Sequence, residues 1–344
     1  MQEKQVLSID AMGGDFAPNM VIGGLCLIQK DFPDFHFLLH GDEAKIAPLL
    51  AKNPQLLSAC EIRHTPDVIS NDLKPSQAIR TGRKSSLWQA IEAVEKKEAG
   101  AVISAGNTGA LMAISKLVLK TMPGINRPAI VGLLPTTKGL TVMLDLGGNT
   151  ECDAVNLVQF AIMGEIFSRA VLGTKRPKVG LLNIGSEDMK GREEIKEAAK
   201  ILKESPLDLD FYGFIEGHDI GQGTVDVIVT DGFSGNIALK SIEGTAKLFA
   251  NILKESAKKS FISKLGFLIA CSAIKHLKEK TDPRKYNGAM FVGLNGISVK
   301  SHGGTDAFGF ANALRSTINL MRHGFNEQIK QELENISLSN KTLS

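Results

Sequence analysis

Short apolar, β-branched runs that stop abruptly in small polar turns recur along this chain, and that rhythm allows few folds. The runs are QVLSID (5–10), FHFLLHG (35–41), AVISAG (101–106), AIVGLL (129–134), LTVMLDLG (140–147), KVGLLNIG (178–185), DVIVTDG (226–232) and AMFVGLNG (289–296). Between most of them the residue pattern predicts helices, over 111–120, 154–170, 192–204 and 236–257. Strands buried on both faces read as continuous apolar runs. Strands that alternate with helices build a mostly parallel sheet covered on both faces. With 344 residues there is material for one large α/β domain or two smaller ones.

Where the glycines fall is the next constraint. Strand ends run into DAMGGD (10–15), SAGNTG (104–109), DLGGNTECD (145–153), NIGSED (183–188), TDGFSGN (230–236) and LNGISVKSHGGTD (294–306). In an open parallel sheet such turns gather along the carboxyl edge, where ligands bind. The expectation is therefore one shared ligand site on one edge. SAGNTG carries no charge and opens a strong helix former. A helix N-terminus offers unpaired N–H groups and a partial positive charge, so it can hold an anion without Lys or Arg. Gly106 and Gly109 leave room for approach, while Asn107 and Thr108 add neutral donors. Basic groups lie in LKPSQAIRTGRKSS (Lys74, Arg80, Arg83, Lys84) and in VKSHGG (Lys300, His302), and they suit an anionic ligand.

Several chemistries lack their signatures. DAMGGD is not a dinucleotide fingerprint, and no phosphate-binding loop ending in Gly-Lys-Ser/Thr occurs. The serine elbow of α/β-hydrolases is missing too. Asp10, Asp15, Asp145, Asp153 and Asp231 have the oxygen chemistry for Mg²⁺, but aspartates in such turns more often cap helices, so no metal is assigned. A net charge of +3 and a supply of one Trp and two Tyr argue against a nucleic-acid partner. Cys26, Cys60, Cys152 and Cys271 lie far apart and fit reduced, buried thiols of a cytoplasmic protein. The first fifteen residues contain no apolar stretch of signal-peptide type. Apolar runs of about seven or eight residues are too short to span a bilayer.

One segment differs. FANILKESAKKSFISKLGFLIACSAIKHLKEK (249–280) carries seven lysines against two glutamates from Lys254 to Lys280, which leaves the remainder of the chain slightly acidic. Phe261, Ile262, Leu265, Phe267, Leu268 and Ile269 cluster between the lysine-rich arms. Two helices with a turn near 263–266 are predicted. They form either a core-facing pair with a solvated basic face, or a basic, apolar-tipped hairpin that touches a membrane surface or an acidic protein.

Taken together, IDAMGGDFAPNMVIGG, LKPSQAIRTGRKSS, VISAGNTGALM, PGINRPAI, DLGGNTECDAVNLVQFAIMG, VGLLNIGSEDMKGRE, DVIVTDGFSGNIALKSIEG and DPRKYNGAMFVGLNGISVKSHGGTD resemble the bacterial phosphate acyltransferases of phospholipid synthesis. The blocks run in order from about residue 5 to about residue 325. The resemblance implies a three-layer α/β/α sandwich with a mostly parallel sheet, akin to isopropylmalate dehydrogenases and phosphotransacetylases. It implies a single catalytic domain over 1–325 and a protruding helical hairpin over 245–285; the tail over 326–344 is polar and is expected as a surface helix that frays. It also implies a homodimer without cofactor that converts acyl-[acyl-carrier-protein] and inorganic phosphate to acyl phosphate and free carrier. That product would feed a membrane glycerol-3-phosphate acyltransferase. Gly148 and His218 stand where many relatives have Ala and Arg, so no phosphate contact is assigned at 218.

On this reading phosphate is the nucleophile. Asn107, Thr108 and Gly109 would form its cradle together with Gly106, with Gly13 and Gly14 facing them. Backbone donors near Gly303 and Gly304 would stabilise the oxyanion. Lys300 or His302 would orient phosphate or protonate the leaving thiolate, and Asn183 and Asp231 would position loops. Arg80, Arg83 and Lys84 are the expected dock for an acidic carrier protein. Phe261, Ile262, Leu265, Phe267 and Leu268 are the expected peripheral contact with an anionic membrane. A coenzyme A-dependent phosphate acetyl- or butyryltransferase, a dehydrogenase on the same fold and a peripheral membrane scaffold are the alternatives.

Overall fold

The computed structural model describes residues 5–205 and 209–331. Its strands are β1 (Gln5–Asp10), β2 (Phe35–Gly41), β3 (Cys60–His64), β4 (Ala101–Ser104), β5 (Ala129–Thr136), β6 (Gly139–Leu144), β7 (Lys178–Leu182), β8 (Asp210–Ile215), β9 (Val227–Val229), β10 (Ala289–Val292) and β11 (Ile297–Lys300). The helices are α1 (Asn19–Ile28), α2 (Glu43–Ala51), α3 (Pro75–Thr81), α4 (Ser86–Glu95), α5 (Thr108–Leu119), α6 (Ala154–Phe167), α7 (Glu193–Glu204), α8 (Gly217–Gln222), α9 (Gly232–Lys258), α10 (Phe261–Ile269), α11 (Cys271–Thr281) and α12 (Ala307–Arg322). All eleven strands join one sheet in the order β3-β2-β1-β4-β11-β10-β5-β6-β9-β7-β8.

Alternate residues along each strand feed opposite layers. Leu7 and Ile9 of β1 belong to the core layer covered by α1, α6 and α12, whereas Leu38 of β2 and Val102 of β4 belong to the one covered by α4 and α5. The result is the three-layer α/β/α sandwich expected. Seven of the ten strand pairings are parallel.

The other three pairings correct the expectation of a single ligand edge. β11 pairs antiparallel with β10, β10 with β5, and β5 with β6. Three reversals turn β6, β9 and β7 against β1, β4 and β11. The glycine turns therefore leave the sheet in two sets of opposite sense. Short hairpin-type connections allow such reversals, and apolar runs alone do not reveal strand direction.

Local chemistry sets most helix starts. Asp42, Ser85, Asn107, Asp153, Asp231 and Asp306 each accept a backbone N–H of the following first turn. α6 continues as a π-turn through Leu172. The span Ala154–Leu172 has the length and hydropathy to cross a bilayer, contrary to the count of uninterrupted apolar residues. Half of it is buried, with Phe160, Ala161 and Met163 in the core. It is the helix on which β6 and β9 pack.

The 249–280 segment is three helices, not two. Ser260 caps α10 by accepting the Ser263 N–H at 3.0 Å, so the breaks fall at 259–260 and at Ala270 and the expected turn at 263–266 is helical. The chain after Phe325 is helical to residue 331, with Asn326 and Ile329 buried instead of on the surface; the remainder of the tail lies outside the described residues. Cys26, Cys60 and Cys152 are half-buried, but Cys271 is exposed at the start of α11.

His40 of β2 is buried, and neither ring nitrogen has a partner among the described residues. Burial, aided by Arg63, lowers its pKa to about 4. The folded imidazole is neutral, whereas an unfolded one takes up a proton below about 6.5. Its contribution to stability is therefore complete above that pH and is lost as pH falls toward 4, by about 3 kcal/mol. Urea unfolding at neutral pH and near the folded pKa is expected to show a smaller acid loss for His40→Leu than for wild type. Equal losses would assign the acid sensitivity elsewhere.

Candidate active site

β1, β4 and β11 are parallel neighbours, and in this register Lys300 pairs with Ser104 and Ile103 with Ile9. Their carboxyl ends deliver Asp10, Ser104 and Lys300 to one place. The turns that follow border an open depression of about 400 Å³ lined by Asp15, Asn71, Ala105, Gly106, Asn107, Thr108, Gly109, Lys300, His302, Gly303 and Gly304.

Asp10 organises the floor. Its buried carboxylate accepts Ser86 Oγ and Ser104 Oγ, both at 2.7 Å, and the Met12 N–H at 3.2 Å. Burial raises its pKa, and these hydrogen bonds pull the other way. Gly106 N–H donates to Ser104 Oγ at 3.0 Å, so the turn after β4 is tied to the carboxylate. Gly13 lies between these groups. A Cβ there would stand 2.5 Å from Asp10 Oδ2 and 2.7 Å from Gly106 N, which no side chain tolerates. Gly14 comes next, and the following N–H, of Asp15, donates to the Gly303 carbonyl at 2.9 Å. That bond joins the β1 turn to the β11 turn.

Asn107 has a different task from the one its sequence position implies. Its Oδ1 accepts Ala110 N–H at 3.0 Å, which caps α5. Its Nδ2 donates to the carbonyls of Ser70, Asn71 and Leu73 at 3.2, 2.9 and 2.8 Å. The side chain thus holds the 70–73 loop on the helix end and has no donor left for a ligand. The first-turn N–H groups of Thr108 and Gly109 have no intrahelical acceptor and no other among the described residues, and both residues line the cavity. Asn107→Ala is expected to cost about 1–3 kcal/mol, from the lost cap and loop bonds. Thr108→Ala, whose hydroxyl makes no described bond, is expected to stay within about 0.5 kcal/mol of wild type. Urea denaturation of both variants checks this.

Opposite the helix end, Lys300 Nζ donates to the Ala105 carbonyl at 3.3 Å and to the Ser301 carbonyl. Burial lowers its pKa to about 8, against the attraction of Asp10 and Asp15, with Lys240 of α9 adding repulsion. His302 Nδ1 accepts the Gly304 N–H at 3.2 Å, which places the proton of the neutral ring on Nε2. Burial first, then Lys240 and Lys300, keep this imidazole below its usual range. The cavity therefore holds an ammonium of lowered pKa, a neutral imidazole, the Asp15 carboxylate and two free helix N–H groups. Cys60 and Cys152 are pushed up to about 12, chiefly by burial, and supply no thiolate.

Asn183 and Asp231 do not join this set. They follow β7 and β9, whose ends leave the sheet in the opposite sense. Asn183 Nδ2 holds the Lys190 carbonyl at 3.0 Å, and Asp231 pairs with Arg192 while capping α9. Asp145 accepts four backbone N–H groups and the Asn149 amide. The aspartates considered for Mg²⁺ are thus split between two places, and most are already engaged in turns and caps. Arg80, Arg83 and Lys84 are exposed on α3 and just beyond it, with Arg83 stacked 5.9 Å over Trp88. α3 touches the cavity's helix, because Pro75 lies against Gly109. Phe261, Ile262, Leu265 and Leu268 are exposed, and Phe267 is half-buried, away from the cavity.

Ser86, Ser104 and Asn71 were missed from sequence. Asn71 sits in a loop with no motif, and the serines read as ordinary strand-end and cap residues. A chain-distant aspartate with two serine donors becomes visible only when β1, β4 and α4 are adjacent.

The family model described as "Fatty acid synthesis protein" matches residues 5–328. A phosphate acyltransferase from Rhodospirillum rubrum is 57% identical over all of this chain and 99% of its own length. One from Rhodospirillum centenum is 58% identical over 97% of this chain and 94% of its own. Among solved structures, a phosphotransacetylase from Streptococcus pyogenes superposes with a TM-score of 0.62 at 16% identity, covering 92% of this chain and 94% of its own. A 4-hydroxythreonine-4-phosphate dehydrogenase from Klebsiella pneumoniae gives 0.54 at 13%, covering 92% and 99%. These two establish the fold alone. Matched along nearly its whole length by the family model and by relatives at well over half identity, the chain is an acyltransferase that belongs to the fatty acid synthesis protein family of phosphate acyltransferases.

Proposed function

We propose that the enzyme transfers an acyl group from the thioester of an acyl-carrier protein to inorganic phosphate. One observation carries this reading: the cavity pairs free helix N–H groups with Lys300, and its lining offers neither a serine nor a cysteine to attack a thioester. Such a site suits an anion that itself attacks. Thr108 and Gly109 N–H groups hold phosphate, and Lys300 orients it beside the carbonyl. A phosphate oxygen adds to the thioester carbon, and the tetrahedral oxyanion collapses with cleavage of the C–S bond. Acyl phosphate and a carrier thiolate result, and Lys300 or His302 Nε2 supplies the thiolate's proton. The Gly303 N–H supports the oxyanion, whereas the Gly304 N–H expected beside it is held by His302 Nδ1. Holding the two reactants in attack geometry supplies up to about 7–11 kcal/mol.

The carrier docks along Arg80, Arg83 and Lys84, beside the rim that Asn71 and Pro75 form. The active species is a homodimer, and its acyl phosphate passes to a membrane glycerol-3-phosphate acyltransferase. The 261–269 helix exposes Phe261 and Ile262 at 82% each and Leu268 at 70%, flanked by lysines. That surface seats the otherwise cytoplasmic enzyme peripherally on anionic lipid. Leu265→Glu with Phe267→Glu is expected to abolish sedimentation with anionic vesicles; retained binding would remove the lipid role.

The deciding assay combines full-length enzyme, a long-chain acyl-carrier protein and radiolabelled phosphate, without metal or nucleotide. A labelled, hydroxylamine-sensitive acyl product is expected. No product from intact substrates would overturn the reading, and turnover with acyl-coenzyme A instead would install the coenzyme A-dependent alternative.

A further inference from the structure

Asp15 is out of place in a cavity built for an anion. Its Oδ1 accepts the Asn71 amide at 3.2 Å. Its Oδ2 has no donor among the described residues and faces Gly304, where a Cβ would lie 3.4 Å away. The Asp15 N–H bond to Gly303 fixes the backbone that presents it. Lys300 balances part of its charge, but an oxygen with no protein donor repels a fully deprotonated anion brought against it, because an ionised carboxylate only accepts hydrogen bonds. Inorganic phosphate at neutral pH still carries a P–OH, and sulfate does not. The two dianions share shape and charge, so helix N–H groups and Lys300 alone would hold them alike.

We infer that Asp15 is a specificity residue: its free oxygen accepts the P–OH hydrogen bond and so admits hydrogen phosphate while rejecting sulfate. This rests on the reading of the cavity as the phosphate site. It assigns the cavity both attraction toward the right anion and a repulsive element against the wrong one. A site built around a substrate's proton rejects the analogue that lacks it far more strongly than charge or size alone would.

The test is equilibrium dialysis of the full-length enzyme with radiolabelled phosphate and radiolabelled sulfate. Wild type is expected to prefer phosphate by about 100-fold or more. Asp15→Asn keeps the acceptor for Asn71 and adds a donor toward the cavity. It is expected to hold phosphate within about tenfold of wild type and to bring sulfate within about fivefold of phosphate. Asp15→Ser gives the same collapse of preference with a smaller side chain, should the amide disturb the fold. An unchanged preference in folded variants overturns the inference, and so does loss of both anions in both. Thr108→Trp, which crowds the cavity, separates the underlying reading. If it leaves phosphate binding intact, the cavity is not the phosphate site. If it abolishes binding while Asp15→Asn keeps the wild-type preference, only the role of Asp15 fails.

Discussion

Lys300→Met is expected to lower kcat/KM by about 10²–10³-fold, the usual cost of removing one preorganised charge-stabilising donor. The loss will not reflect unfolding. With a folded pKa near 8 against about 10.4 for a free lysine, the ammonium favours the unfolded chain throughout neutral pH. The sign follows from linkage: this lysine's contribution to stability is complete only above its unfolded pKa and falls as pH drops through the folded one. Methionine removes that cost, so the melting temperature is expected to stay level or rise. Wild-type activity is expected to hold steady below about pH 8 and to fall above it, as the ammonium is lost. In Lys300→Arg the falling limb should vanish, because guanidinium keeps its proton. A wild-type profile flat through this pH would deny the lysine its role.

Gly13→Val is the second large effect. The new Cβ would stand 2.5 Å from Asp10 Oδ2, 2.7 Å from Gly106 N and 2.8 Å from Ser104 Oγ. Either Asp10 leaves its serines or the β1 turn retreats from the β4 turn. Overpacking of this kind costs about 1–3 kcal/mol, and a shift of about 1 Å in the cradle costs about 10²-fold in rate. Gly303→Ala offers the contrast, since its nearest neighbour would be Ala105 O at 3.4 Å. It is expected to lose less than about tenfold. Thermal unfolding and steady-state kinetics on the pair give the comparison, and similar activities would place the cradle elsewhere.

The strands with unbroken apolar runs, such as AVISAG and DVIVTDG, were legible because burial on both faces leaves that mark. CEIRH and ISVK were not. The first is an edge strand with charged residues, and the second is too short and mixed to stand out. Strand direction left no trace either, so Asn183 and Asp231 were grouped with residues that run the other way. Within the site, Lys300, His302 and the glycine turns were readable from chemistry type. The true work of Asn107 was not, because its three carbonyl partners come from a loop more than thirty residues upstream. Asp15 was visible only as a generic oxygen ligand until the Asn71 bond left one of its oxygens facing the cavity.

α9 is a lever with its fulcrum at the sheet. Its first turn is wedged so tightly that a Cβ on Gly235 would stand 2.0 Å from the Asp145 carbonyl. From there the helix runs unbroken to Lys258. At about 1.5 Å per residue, Lys240 is about 8 Å from the fulcrum, Lys247 about 18 Å and Lys258 about 35 Å. A tilt that carries the far end by about 5 Å moves Lys240 by about 1 Å and Lys247 by about 2.5 Å. Those two lysines and Glu243 between them, together with Lys300, contribute to the field around His302. A load on the tip would thus reach the His302 imidazole as a small change of voltage rather than of shape, the long arm gearing a coarse motion outside down to a fine one within.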